Sequence, residues 1–370
     1  MNLAKSGLLS VAALLLLLAI PLQAQRATVK VRRAASGSID VHEGVIVSED
    51  SYRVVKAKKG ARKYTWPADR VIDVRYQRQP SAFKKGLQAF EDGALEEAAT
   101  RMREALKSAS KYSWLEAYAN WYAGEALNRL GFFKDAQGHY EAILSKARKS
   151  RFVPQALIRL AEISLIKGDA AGARRHFKKL GDLAKRERLP ERYGSHAELG
   201  MATVEARFGD AEKGLEELKK IQSAASDATI KNKCALEIGQ TYIRQKKFSQ
   251  ALSYFKTIEK NLDKENPDPM LIAGAANGLG DCLWQLKKYD EAVLAYSRVY
   301  ALFLERPELR SHVAHALYWG GCAFDALAGL EKDTDARRKL RSRARRLWRK
   351  AFREFKGTRG GELARKKLGG

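Results

Sequence analysis

Small residues recur along most of this chain at Gly86, Gly124, Ala161, Ala202, Gly239, Gly280 and Gly321, at intervals of 38, 37, 41, 37, 41 and 41 residues. Seven residues beyond the first four stand Gly93, Gly131, Gly168 and Gly209; Lys246 and Lys287 hold the equivalent places later. Five further on come Ala98, Ala136, Ala173, Gly214, Ala251 and Ala292, and four beyond those Met102, Tyr140, Phe177, Leu218, Phe255 and Tyr296. With apolar residues at helical spacing throughout, each period describes a hairpin of two helices. The small residue lets the helices approach, the Gly or Lys ends the first helix as a C-cap, and the large side chain plugs the gap toward the next unit. A lone hairpin cannot bury both faces, so the units must stack into a solenoid.

The runs Leu279-Gly280 … Tyr289-Asp290-Glu291-Ala292 … Tyr296 and Gly124 … Gly131-Phe132-Phe133-Lys134-Asp135-Ala136 … Tyr140 resemble the tetratricopeptide repeat. The resemblance extends over residues 81–368, with units near 81–110, 117–146, 154–184, 195–224, 232–262, 273–303 and 311–355. It implies a mainly α chain: a right-handed α-solenoid of about seven hairpins serving as an interaction scaffold. The periods exceed the usual figure of about 34, and the Pro that commonly closes a unit is mostly absent. In the seventh unit the helices are expected near Ser311–Ala328 and Ala336–Phe355, with about 11 extra residues between them. The ending Phe355-Lys356-Gly357-Thr358 … Ala364 … Leu368 is similar to the closing segment of exported envelope proteins of this family.

Ahead of the repeats, residues 26–79 alternate β-branched residues (Val29, Val31, Ile39, Val41, Val45, Val47) between breaks at Gly37, Gly44, Gly60 and Pro67. Such alternation predicts four or five short strands in a small β-barrel-like module, whose spacing resembles SH3/Sm-like barrels. Met1–Ala24 has Lys5, an apolar run over 7–20, Pro21 and a terminal Ala24, the parts of a signal peptide. Cleavage near Ala24 would start the mature chain at Gln25, placing it in the periplasm or outside the cell. Three cysteines in 370 residues exclude a disulfide scaffold. Cys282 and Cys322 hold nearly equivalent places in consecutive units, so a pair or two buried thiols both stay open.

Sixty-nine Lys and Arg against 43 Asp and Glu give a net charge of +26. The excess sits at the two ends: residues 26–79 carry +7 and residues 336–370 carry +13. Arg338, Arg341, Arg345, Arg346, Arg349 and Arg353 fall in a basic amphipathic helix over 336–355, able to meet an anionic lipid or wall polymer. Nucleic acid is not the expected partner of an exported chain.

The family resemblance points five positions of each first helix into a concave groove. They select Tyr118, Trp121, Asn128, Arg129, Arg207, Gln240, Arg244, Asn277, Asp281, Trp284 and Gln285. Rings supply contact area, amides pair with a peptide backbone, and Arg pairs with a carboxylate. Metalloprotease, nucleophile-elbow and phosphate-loop motifs are absent from the sequence, and His312, His315 and Cys322 fit zinc spacing poorly. The expectation is a non-catalytic scaffold without cofactor or metal. It binds another protein or peptide in the bacterial envelope, or alternatively an anionic polymer or membrane through its basic ends.

Overall fold

The computed structural model describes residues 25–33, 38–49, 53–57, 63–67, 70–262, 265 and 267–369. The expected signal peptide and the breaks at Gly37 and Gly60 lie outside the described residues. Strands β1 (Gln25–Arg32), β2 (Ile39–Glu49), β3 (Arg53–Ala57), β4 (Lys63–Pro67) and β5 (Val71–Tyr76) form one antiparallel sheet in the order β4-β3-β2-β1-β5. No pairing among the described residues joins the edges β4 and β5. The period-two pattern turns Ala27, Val29 and Val31 to one face, with Val29 opposite His42 on β2 and Val74 on β5.

Seven helical hairpins follow. The first four are α1 (Ser81–Glu91) with α2 (Leu95–Leu106), α3 (Leu115–Leu130) with α4 (Phe133–Lys146), α5 (Val153–Lys167) with α6 (Ala170–Arg186), and α7 (Glu191–Phe208) with α8 (Ala211–Ala224). Then come α9 (Ala228–Arg244) with α10 (Phe248–Lys260), α11 (Pro269–Gln285) with α12 (Tyr289–Phe303), and α13 (Arg310–Leu330) with α14 (Thr334–Glu354). A short helix, α15 (Arg359–Lys367), packs on both helices of the last hairpin.

The buried face of the sheet meets Phe83, Trp114, Tyr118 and Phe152 of the first three hairpins, with Tyr76 stacked on Trp114 at 4.5 Å between centroids. Glu49 locks this junction. It accepts hydrogen bonds from the Tyr76 and Tyr118 hydroxyls (2.8 and 2.7 Å) and pairs with Arg151 at 2.8 Å. Arg151 also donates to the Val71 carbonyl. Burial and the Glu49 charge push both phenols well above their ordinary pKa, so they remain neutral donors.

Within the hairpins the repeated small residues act as the spacing predicts. A Cβ on Gly124 would lie 2.8 Å from the Tyr140 ring, and one on Gly280 would lie 2.5 Å from Tyr296. Phe255 wedges between Gly239 of its own hairpin and Gly278 of the next, which ties consecutive units together. Five first helices end on left-handed residues: Gly93, Gly131, Gly168, Lys246 and Lys287. Gly209 departs from that expectation, with φ −121°. There Asp210 caps α8 with its side chain, while Glu205 accepts from the Asp210 backbone N–H, so the turn needs no left-handed residue.

The extra residues of the seventh unit are also not in its connection, which is three residues long like that of the sixth. They lengthen the helices instead. Leu330 ends α13 nine residues past Gly321, where Gln285 ends α11 five past Gly280. Trp348 stands fourteen residues into α14, where Tyr296 stands seven into α12. Four added residues on one helix and seven on the other keep the insertion near three whole turns. Trp348 therefore returns to the same face and fills the place against Gly321, with its indole N–H bonded to the Tyr318 carbonyl at 3.0 Å.

First helices of neighbouring hairpins touch one another through most of the array, whereas second helices pack chiefly on first helices. The first helices thus form the inner, tighter layer of a curved stack. Curvature brings the last turn back to the first units. Gly357 and Thr358, between α14 and α15, lie against Gly131 at the end of α3, and Pro307 lies against Gly93.

Candidate functional site

The inner layer carries a ladder of acids and bases that links unit to unit. Glu125 follows Gly124 directly, so it projects beside the place where Tyr140 plugs the hairpin. Its carboxylate accepts from the Tyr140 hydroxyl at 2.6 Å and from Arg159 of the next first helix at 2.8 and 3.0 Å. The sixth unit repeats the device: Asp281 follows Gly280, accepts from the Tyr296 hydroxyl at 2.7 Å and meets His315 of α13 at 2.8 Å.

Arg159 continues to Glu162 at 2.8 Å, and Lys233 reaches Glu162 at 3.4 Å from α9, two first helices away. Burial alone would raise the Glu162 carboxyl, but the charges of Arg159 and Lys233 outweigh it and hold the group at about 2. His196, on the intervening helix, is lowered to about 4, first by burial and then by Lys233. These groups satisfy one another, so the floor of the inner layer over α3–α9 is a closed ion network.

Several expected groove residues belong to such internal contacts. Tyr118 is 3% exposed and spent on Glu49, and Asn277 is 4% exposed and donates to the His312 carbonyl at 3.0 Å. Both are corrected from groove surface to core, because hairpin stacking covers them. Arg207 and Arg244 converge on Glu237 from two successive first helices. Burial and the neighbouring Arg207 draw the Arg244 guanidinium below its ordinary pKa, partly offset by Glu237. Asp281 is held between Tyr296 and His315 as above. Trp121 stacks on Phe152 with centroids 5.2 Å apart, Arg129 lies 4.5 Å over the Phe90 ring, and Trp284 packs against Tyr289 and Trp319.

Asn128 and Gln240 are half-buried; Arg244 and Gln285 are exposed. The structure therefore gathers the expected residues into separate groups: one in the second hairpin, one across the fourth and fifth, one in the sixth. Glu125, Arg159, Glu162 and Lys233 were not anticipated. A signal for the acids existed, since a polar residue follows the small one in units two to six: Glu125, Glu162, Thr203, Gln240 and Asp281.

The second surface is α14. Arg338, Arg341, Arg345, Arg346, Arg349 and Arg353 are all exposed, and their side chains fence about 970 Å³ of open space lined by this helix alone. Arg338 pairs with Asp335 at 3.1 Å. Arg341, Arg345, Arg346, Arg349 and Arg353 have no ion-pair or hydrogen-bond partner among the described residues. No group of His, Cys, Asp and Glu among the described residues could hold a metal ion. Cys234, Cys282 and Cys322 are free thiols, and burial raises all three.

Residues 236–303 match a tetratricopeptide-repeat family model. No curated protein matches the chain. Among solved structures, a Rap protein complexed with competence and sporulation factor is similar at 17% identity and a TM-score of 0.52, covering 78% of this chain and 84% of that one. A tetratricopeptide repeat protein from Parabacteroides merdae is 12% identical with a TM-score of 0.42, over 71% of this chain and 97% of that one. The family model covers the fifth and sixth hairpins, and the paired helices stacked throughout give the helical array the fold of a tetratricopeptide-repeat solenoid.

Proposed function

We propose that this protein is an exported, non-catalytic scaffold of the bacterial cell envelope that holds another protein or a peptide against the inner helix layer of its solenoid. The observation that carries the reading is the layering itself. Seven first helices lie side by side and present a continuous curved surface, a form that repeat proteins use for extended binding faces. The Rap protein with the similar fold was solved with a bound factor. Signal-peptide features at Met1–Ala24 support export.

With Tyr118 and Asn277 buried, the contact falls to Trp121, Asn128, Arg129, Gln240, Arg244, Trp284 and Gln285. Arg244 and Trp284 are the two to test. Arg244 offers a partly exposed guanidinium shared with Glu237 and Thr241, and Trp284 offers an indole edge beside Trp319.

The test is capture from an envelope extract by residues 25–370, washed at about 50 mM and then about 500 mM salt. A discrete protein retained at high salt by the natural chain, and lost from the Arg244→Ala, Trp284→Ala double variant, is the expected result. Equal retention by both removes the inner layer as the contact. Export is read separately, from whether the chain recovered outside the cytoplasm begins at Gln25.

A further inference from the structure

Elsewhere in the array several cations stand beside an acid: Arg159 with Glu125 and Glu162, Arg207 with Glu237, Arg298 with Glu259 and Lys247 with Glu212. The exposed side of α14 differs in the density of its cations. Ten Lys and Arg stand between Arg337 and Arg353 without an acid among them, and Asp335 and Glu354 close the run at its two ends. Like charges three and four residues apart on a helix repel. Arg338 pairs with Asp335, Lys350 with Glu354, and Arg337 donates to the Glu331 carbonyl; the repulsion left among Arg341, Arg345, Arg346, Arg349 and Arg353 is what an external anion relieves.

Three features of the helix define the anion. First, density: ten cations over seventeen residues of α-helix amount to about one per 2.5 Å. That lies between the phosphate spacing along one nucleic-acid strand, about 3.4 Å, and along a duplex, about 1.7 Å. Second, composition: eight of the ten are Arg, whose planar fork takes two phosphate oxygens at once.

Third, shape. At 100° per residue the cations from Arg341 round to Arg343 spread over roughly 200° of the helix circumference. A flat bilayer can meet only part of such a half-cylinder, whereas a flexible chain can follow it. Nor does α14 keep an apolar edge for a bilayer. Ala344, Trp348, Ala351 and Phe355 are buried, and Leu347 and Phe352 pack on the same core. Amphipathic helices that lie in lipid need that edge free.

We infer that the outer face of α14 binds a linear polymer with phosphates in its backbone, without regard to the sequence of its repeat units, through Arg338, Arg341, Arg345, Arg346, Arg349 and Arg353. The site is the solvent side of the terminal hairpin and is separate from the inner layer. The seven residues added to α14, about two turns, lengthen the face.

The probe is a labelled single-stranded oligothymidylate, used here only as a phosphodiester chain, titrated into residues 25–370 at several salt concentrations. Each phosphate contact on a single strand contributes about 0.7 to the slope of log K against log salt. The Arg345→Gln, Arg346→Gln, Arg349→Gln triple variant should therefore lower the slope by about 2 and weaken binding at least about tenfold at low salt. The three side chains are exposed, so an unchanged thermal melt will accompany the loss. The corresponding triple Lys variant should keep most of the slope. Unchanged binding by the Gln variant overturns the site. Tighter binding to vesicles of phosphatidylglycerol and phosphatidylcholine, or to polyglutamate, than to the phosphodiester chain overturns the choice of ligand.

Discussion

At the residue scale, two histidines are kept neutral by their surroundings. His196 faces Lys233 and Glu162, with Asp227 and Arg192 also near, and His312 sits deep between α11 and α13; both are lowered to about 4, mainly by burial. An unfolded chain binds those protons near pH 6.5, so between about pH 6.5 and 4 the unfolded state carries more protons than the folded one. Stability is then full above that window and falls as the solution is acidified, by on the order of 3 kcal/mol for each histidine at pH 4. Glu162, held at about 2, adds a loss at still lower pH. Thermal melts from pH 7 to pH 4 should show the midpoint falling, with a shallower fall in the His196→Gln variant. Parallel curves for the two proteins would mean that His196 is not protonated on unfolding in this range. None of this could be read from the sequence, because nothing local to His196 marks it. Lys233 and Glu162 come from helices two units apart.

At the scale of elements, the sheet is fastened to the helices by Glu49 and Arg151, residues that the sequence reading passed over. Glu49 ends a strand and Arg151 precedes a helix, and each looks like a solvated charge until the strand is docked. Removing one member of a buried pair leaves the other uncompensated. Arg151→Met should therefore cost about 3–5 kcal/mol, and the loss should appear in Trp114, which stacks on Tyr76 at the junction. Chemical unfolding followed by tryptophan fluorescence and by circular dichroism should separate in this variant, the fluorescence change coming first as the sheet leaves. Coincident transitions would mean that sheet and helices unfold as one unit regardless of the pair. The hairpins behave differently. Their Gly124–Tyr140 and Gly280–Tyr296 contacts were legible because both partners lie a fixed sixteen residues apart in one unit.

Over the whole molecule, the stack curves until its C-terminal segment touches its second hairpin. Gly131 has φ +84° and would place a Cβ 2.0 Å from the Gly357 carbonyl oxygen, while Gly168 has φ +76° and open space around it. The pair separates two effects. Gly168→Ala pays only the left-handed backbone term, about 1 kcal/mol. Gly131→Ala carries the same term and must also push the C-terminal segment away. Small-angle scattering should show a larger radius of gyration for the Gly131 variant alone, with a stability loss exceeding that of its control. Equal losses and equal radii would show that the closing contact contributes nothing in solution.

The chain by itself determined the hairpin, its number of repeats and which small and large residues meet inside each hairpin, because those rest on side chains a few residues to one unit apart. It also showed where the excess charge lies. The tertiary structure alone decided which polar residues face solvent. Tyr118 and Asn277 became core, and Arg207 and Asp281 became links between units, because each finds its partner on another element brought close by stacking. Curvature accumulates from small rotations at every interface. No local pattern could therefore announce that Gly131 would meet Gly357.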